Sequence, residues 1–124
     1  MIVLNDWHKD IKKFINAKRD MSLINGANIS VGVSDKFMEA KAKGETWTVG
    51  HVNVTDFSTY ENAYYYEEND FVAEDTFNAK ELWNDMMKAA HGSAEPGVIF
   101  MERYNRMSNS YYRSPIIATN PCGK

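Results

Sequence analysis

Short apolar segments alternate along this sequence with segments of helical amphipathic spacing, and no other feature restricts the fold as strongly. Residues 1–5, 27–33 and 98–101 are apolar or β-branched runs that predict strands, and the last run is apolar throughout, as in strands buried on both faces. Residues 9–18 and 78–90 place apolar side chains on one face of a helix. Such alternation predicts an α/β fold around a mostly parallel sheet.

Polar residues and glycines mark the ends of these elements. Asp6 is the predicted N-cap of the first helix. Ser34 and Asp35 are predicted to cap a short helix that stops at Gly44, because glycine is common where helices end. Residues 47–54 follow as a predicted extended segment.

The remaining segments suggest a partial domain. Residues 56–75 are rich in tyrosine and acidic side chains without a regular period, which predicts a surface excursion. Residues 115–119 are the last predicted extended segment, and no helix pattern follows them. Because there are also no repeats or linkers, residues 1–124 are interpreted as one partial domain of a larger protein.

Charge and composition exclude several classes of partner. A net charge of −3 at pH 7 provides no basic field for nucleic acid or anionic membranes. Residues 1–14 lack the apolar stretch of a signal peptide or membrane span, which predicts a cytoplasmic protein. His8, His51 and His91 lack the spacing of a metal-binding pair, so no metal site is predicted.

The only cysteine, Cys122, lies in a predicted tight turn and has no partner for an internal disulfide. Pro121 fixes φ and Gly123 permits positive φ, so the thiol should project from the tip of a loop, where thiols can react. A lone cysteine is more often a small buried apolar residue, and Asn120 before a proline is often a turn residue. The pattern alone therefore leaves catalytic and structural roles open for both side chains.

The sequence Asn-Pro-Cys-Gly at residues 120–123 resembles the active-site loop of adenosylcobalamin-dependent (class II) ribonucleotide reductases. Further blocks resemble the same catalytic chain in family order and with near-family spacing. These blocks lie within residues 10–18, 28–31, 34–40, 95–100 and 102–109. The resemblance thus extends over nearly the whole chain.

This resemblance implies part of a ten-stranded α/β barrel whose central finger loop carries the radical cysteine. Cys122 would be the catalytic residue, forming a thiyl radical that abstracts the ribose 3′-hydrogen. Asn120 would bind the substrate through the ribose hydroxyls, since an amide can both donate and accept. Adenosylcobalamin would be the cofactor of the complete enzyme, at residues that the resemblance does not identify.

Two departures from the family pattern bear on activity. Lys124 stands where the family has a glutamate that acts on the 3′-hydroxyl proton, and the pair of reducing cysteines is missing. We therefore expect a fragment of a ribonucleoside di- or triphosphate reductase, inactive alone. It would need a complementary polypeptide or the remainder of its chain, and it could form homo-oligomers. The alternative is a non-catalytic interaction module or degenerate remnant derived from the barrel, which Lys124 favours.

Overall fold

The computed structural model describes residues 1–19, 26–53, 71–110, 112–113, 116 and 118–122. Helices and strands alternate within these residues except where two strands follow one another. The elements are β1 (Ile2–Asn5), α1 (Ile11–Asn16), β2 (Ile29–Gly32), α2 (Asp35–Lys43), β3 (Thr46–Val52), β4 (Phe71–Asn78), α3 (Ala79–Ser93), β5 (Gly97–Ile99) and α4 (Met101–Met107). In the part of the chain so described, no helix has the length and apolar character needed to cross a membrane.

A parallel sheet of β1, β2 and β5 forms the centre of the fold, with β2 in the middle. In its register Ile2 pairs with Ile29, and Val31 pairs with Leu4 on one side and with Val98 on the other. Every residue of β2 is buried, as expected for a central strand covered on both faces. The predicted α/β fold with parallel strands is therefore confirmed, and across the described ranges the sheet remains open.

The main hydrophobic core joins this sheet to helices α1, α2 and α3. Phe37 of α2 is fully buried and meets Trp47 edge to face, with the ring centroids 5.3 Å apart. The other members of this core are Ile11, Ile15, Val31, Val33, Ala40, Val49, Ala79, Leu82, Met86 and Ala89. Met87 belongs to the apolar face predicted for residues 78–90, but it is 37% exposed, so that face is not buried along its whole length.

An antiparallel hairpin of β3 and β4 departs from the predicted alternation. The surface excursion predicted for residues 56–75 is wrong for residues 71–75, which lie in β4, whereas residues 56–70 lie outside the described residues. Positions 72–76 of β4 are all exposed, so no apolar period marks this strand in the sequence. Gly50 permits close pairing of the two strands, since a Cβ there would overlap the carbonyl oxygen of Val72.

Helix ends follow the predicted signals with one exception. The Ser34 hydroxyl accepts a hydrogen bond from the Phe37 amide at 3.1 Å, and Gly44 ends α2 with φ of 71°. Asp6 is not the cap of α1, because that helix begins only at Ile11 and the N-cap position is held by Asp10. The Asp6 carboxylate instead accepts hydrogen bonds from the Ser34 amide and hydroxyl.

The last segments differ in detail from the prediction. The strand predicted for residues 98–101 is β5 (Gly97–Ile99), and Met101 instead begins α4. Of the extended segment predicted for residues 115–119, residues 115 and 117 lie outside the described residues. Ile116, Ala118 and Thr119 are described and belong to no strand.

The cap of α3 provides a test of the fold. The Asn78 side chain accepts hydrogen bonds from the amides of Lys80 and Glu81 at 3.0 and 3.2 Å, and it donates to the Gly44 carbonyl. Substituting Asn78→Ala should therefore lower the free energy of unfolding by about 1 kcal/mol, the usual effect of losing such a cap. Urea denaturation measures the change. Asn84→Ala on the exposed side of the same helix is the matched control and should not destabilise the chain, since alanine is the better helix former. Equal losses in the two variants would contradict the capping role.

Candidate functional site

The carboxyl ends of the three parallel strands meet at one edge of the sheet, where α/β proteins place their binding sites. Asp6 directly follows β1, Ser34 lies two residues beyond β2, and Glu102 lies in the first turn of α4 after β5. Their side chains come from three separate parts of the sequence. This edge therefore holds a small polar cluster above the hydrophobic core.

Asp6 is the most buried member of this cluster, with 1% of its surface exposed. Its Oδ2 atom accepts hydrogen bonds from the Ser34 amide at 2.7 Å and from the Ser34 hydroxyl at 2.8 Å. Its main-chain carbonyl accepts from the Trp47 indole N–H at 3.1 Å. The other carboxylate oxygen, Oδ1, is buried without a hydrogen-bond partner among the described residues. Asp6 thus joins β1, the start of α2 and β3.

The electrostatics of Asp6 follow from this burial. Removal from water raises the pKa of Asp6 from 3.8 to about 7, and the nearby charge of Glu102 acts in the same direction. The hydrogen bonds from Ser34 oppose the shift, because they stabilise the charged carboxylate. Asp6 therefore exchanges a proton close to neutral pH inside the fold.

The start of α4 is fixed against the start of α2. The Asp35 amide donates to Glu102 Oε2 at 3.2 Å, and the Asp35 carboxylate pairs with Arg103 and Arg106. Both arginine side chains are largely exposed, so solvent weakens the ion pairs. The hydrogen bond and the two ion pairs together set the direction in which α4 leaves the sheet.

Asn105 connects α4 to the segment that leads to Cys122. The residue is 8% exposed, and its side chain accepts from the Ile116 amide at 2.6 Å and donates to the Ile116 carbonyl at 3.0 Å. Both polar groups of one main-chain residue are thus satisfied by one side chain. Beside this contact is a cavity of about 500 Å³, lined by Phe100, Arg103, Tyr104, Met107, Ser108 and Ile116.

Cys122 and Asn120 both lie on the surface. Pro121 and Cys122 form a turn, and Cys122 is exposed, as the sequence predicts. Asn120 is also exposed, and its carbonyl accepts from the Thr119 hydroxyl at 3.1 Å. Gly123 and Lys124 lie outside the described residues. The catalytic role of Cys122 and the ribose contact of Asn120 stay predictions.

Two of the three histidines make hydrogen bonds to nearby residues, and the third lies at the end of a helix. His8 Nδ1 accepts from the Asp10 amide, His51 bonds to Glu74, and His91 lies in the last turn of α3. Across the described ranges, no cluster of three or more histidine, cysteine or acidic side chains could hold a metal ion.

Sequence reasoning missed Asp6 and Asn105 as members of the site. Asp6 was interpreted as a helix cap, although its partner Ser34 lies 28 residues away. Asn105 lies in the resembling block at residues 102–109, and its partner Ile116 lies 11 residues further along. The residues around Asp6 and around Asn105 give no signal that a buried polar residue stands there. Such a residue needs a buried partner, but the sequence does not say which.

Comparison with known proteins identifies the kind of domain. The family model described as the ribonucleotide reductase barrel domain matches residues 1–124. A vitamin B12-dependent ribonucleoside-diphosphate reductase of Mycobacterium tuberculosis is 34% identical over the whole chain, and one of Thermoplasma acidophilum is 30% identical over the whole chain. The ribonucleoside-diphosphate reductase large subunit of Ostreid herpesvirus 1 is 23% identical over 96% of the chain. The chain spans 16, 14 and 16% of the lengths of these three relatives.

Proposed function

The chain belongs to the ribonucleotide reductase barrel-domain family, and on that premise we propose that it forms the part of a reductase barrel that carries the radical cysteine, Cys122. The observation that carries the proposal is the exposed Cys122 thiol in a turn, in a segment that Asn105 ties to α4. A thiol that acts on a substrate has to be accessible. The match to the family over the full chain supports the same assignment.

The substrate we propose is a ribonucleoside diphosphate, the class named for all three relatives. The Cys122 sulfur, as a thiyl radical, would take the 3′-hydrogen atom and become a thiol again while the ribose carries the unpaired electron. Asn120 would hold the ribose hydroxyls, because its amide donates and accepts without adding charge. The 2′-hydroxyl would then leave as water. A reducing thiol pair outside this sequence would supply two electrons and two protons, one proton for the departing water and one for C2′, and Cys122 would return the hydrogen atom to C3′.

Adenosylcobalamin is the cofactor we propose for the complete enzyme, since two of the three relatives are named as vitamin B12-dependent. When bound, it would supply the radical that oxidises the thiol. The Cys122 thiol, which is exposed, would donate its hydrogen atom in that step, and we assign no residue of this chain to hold the cofactor. A catalytic thiol is also consistent with a cytoplasmic location for the enzyme, because thiols are kept reduced in the cytoplasm.

The reaction needs two electrons that this chain cannot provide from a thiol pair. Cys122 is the only cysteine of the 124 residues, so the reducing pair would come from residues outside this sequence. We therefore propose that the rest of the enzyme is the necessary partner of this segment. That remainder would also provide most of the substrate and cofactor contacts.

A non-catalytic module or remnant derived from the barrel is the second candidate. It is favoured by Lys124, which stands where the resembling reductases have a glutamate. An ammonium group cannot take the place of a carboxylate base near neutral pH unless its pKa is strongly lowered. The two candidates predict opposite results in a reductase assay.

The test is an assay of the complete protein that contains this segment, purified from its host together with any polypeptide that accompanies it. We expect formation of a deoxyribonucleoside diphosphate from CDP that requires both adenosylcobalamin and a dithiol. No reduction by the complete assembly would overturn the proposed activity. Reduction without the cobalamin would overturn the cofactor assignment, and a preference for CTP would overturn the substrate assignment.

A further inference from the structure

We infer that Asn105 is a positioning residue for the loop that carries Cys122. Its effect on turnover rests on the proposed function, whereas the contact itself can be tested without it. Asn105 Oδ1 accepts from the Ile116 amide at 2.6 Å, and Asn105 Nδ2 donates to the Ile116 carbonyl at 3.0 Å. Cys122 follows only six residues after Ile116.

The Asn105 side chain gives Ile116 the two hydrogen bonds that a neighbouring strand would otherwise provide. Ile116 is half-buried and lies outside any strand, so its N–H and C=O groups need partners. Each such bond stabilises the contact, and a buried group left without a partner costs more than the bond contributes. An asparagine amide carries a donor and an acceptor at one end, which matches both groups of one residue.

The amide is itself held in place. Asn105 is buried on α4, and Met101 at the start of that helix is fully buried. The same helix is joined to α2 through the bond from the Asp35 amide to Glu102 and through the pairing of Asp35 with Arg106. The contact with Ile116 is therefore built on rigid elements, which position functional groups better than loops do.

This geometry has a consequence for radical chemistry. A hydrogen atom passes between two groups only when they are close, and a misplacement of about 1 Å can cost on the order of 100-fold in rate. Cys122 and Asn120 lie in a loop without strand pairing among the described residues. Fixing Ile116 limits how far that loop can move.

Hydrogen exchange on the 124-residue chain tests the contact. Asn105→Ala should make the Ile116 amide exchange about ten-fold faster, the effect of removing a bond worth about 1.4 kcal/mol. The amide of Val31 in the central strand should keep its exchange rate, which separates a local effect from general unfolding. Asn84→Ala is the matched control, because it makes the same change on an exposed helix surface. If Asn105→Ala fails to fold, Asn105→Asp replaces it, since the carboxylate keeps the acceptor for the Ile116 amide but loses the donor for the carbonyl.

The positioning role is tested in the complete enzyme. Asn105→Ala, or Asn105→Asp in its place, should lower kcat by about 10- to 100-fold and change KM for the diphosphate by less than about three-fold, because the substrate contacts remain. The contact would be overturned if the Ile116 amide in Asn105→Ala exchanged at an unchanged rate. If Asn105→Asp is used instead, unchanged exchange rates at the other amides of the loop would overturn it. Faster exchange with an unchanged kcat would overturn the positioning role. Full turnover by Cys122→Ser would instead overturn the proposed function and leave the exchange result standing.

Discussion

Substituting Cys122→Ser in the complete enzyme is expected to lower kcat by at least about 10⁴-fold, which corresponds to about 5.5 kcal/mol of lost transition-state stabilisation. The reason is chemical rather than structural. An alcohol O–H bond is much stronger than a thiol S–H bond, so serine cannot pass a hydrogen atom to and from carbon as cysteine does. Serine has nearly the shape of cysteine, and Cys122 is exposed in this segment, so the substitution should leave the fold of the segment unchanged.

Single-turnover formation of deoxycytidine diphosphate measures this loss, and the dissociation constant of CDP should change little. Ser110→Ala is the control, because Ser110 is exposed and lies outside the proposed site. A Cys122→Ser enzyme that retains a tenth or more of the activity would show that another group carries the radical. The non-catalytic alternative predicts that no variant alters turnover, because there would be none to alter.

The parts of the fold that the sequence predicted are those with a local cause. Ser34 and Gly44 define α2 through a hydroxyl cap and a left-handed C-terminal residue, and both effects act within a few residues. β2 was predicted from the alternating, partly β-branched residues 27–33, a pattern that also lies within one short segment. The hairpin was missed because its second strand is mostly exposed and has no apolar alternation.

The candidate site divides in the same way. Cys122 and Asn120 stand in a contiguous sequence, so the resemblance could indicate them. Asp6 and Asn105 act through partners 28 and 11 residues away, and only the packing of β1 beside β2 and of α4 beside the following segment brings these groups together. Neither contact has a signature in the residues around it. Long-range polar contacts of this kind are what a single sequence leaves undetermined.

The second large effect that we expect concerns the stability of the fold, and it comes from the ionisation of Asp6. Its folded-state pKa of about 7 lies above the ordinary 3.8, so between these values the folded chain holds a proton that the unfolded chain releases. Stability should therefore be greatest near pH 4 on account of this group and fall as pH rises towards 7. The slope is at most about 1.4 kcal/mol per pH unit. Asp6→Asn cannot ionise and can still accept from Ser34, so the variant should lose this slope and be the more stable protein at pH 8.

Other groups act in different pH ranges, so the test compares the two proteins at each pH. Desolvation lowers the pKa of His8 below 6.5. This group therefore makes the fold less stable as pH falls below about 6.5, which is opposite to the effect of Asp6. Lys18 lowers the pKa of Glu95, whose contribution is lost only as pH falls below about 4.5. Both contributions cancel in the difference between Asp6→Asn and the unchanged chain.

Asp10→Asn is the matched control for Asp6→Asn. The hydrogen bond from Lys13 lowers the pKa of Asp10, so neutralising this exposed carboxylate should slightly lower stability at neutral pH, opposite in sign to the change at Asp6. Urea unfolding from pH 4 to 8, at concentrations where sedimentation shows a monomer, measures all three proteins. If the Asp6→Asn curve runs parallel to that of the unchanged chain, Asp6 remains ionised in the fold. Its unpartnered oxygen would then have to be solvated by water inside the cluster, because a buried charge without a partner is too costly to persist.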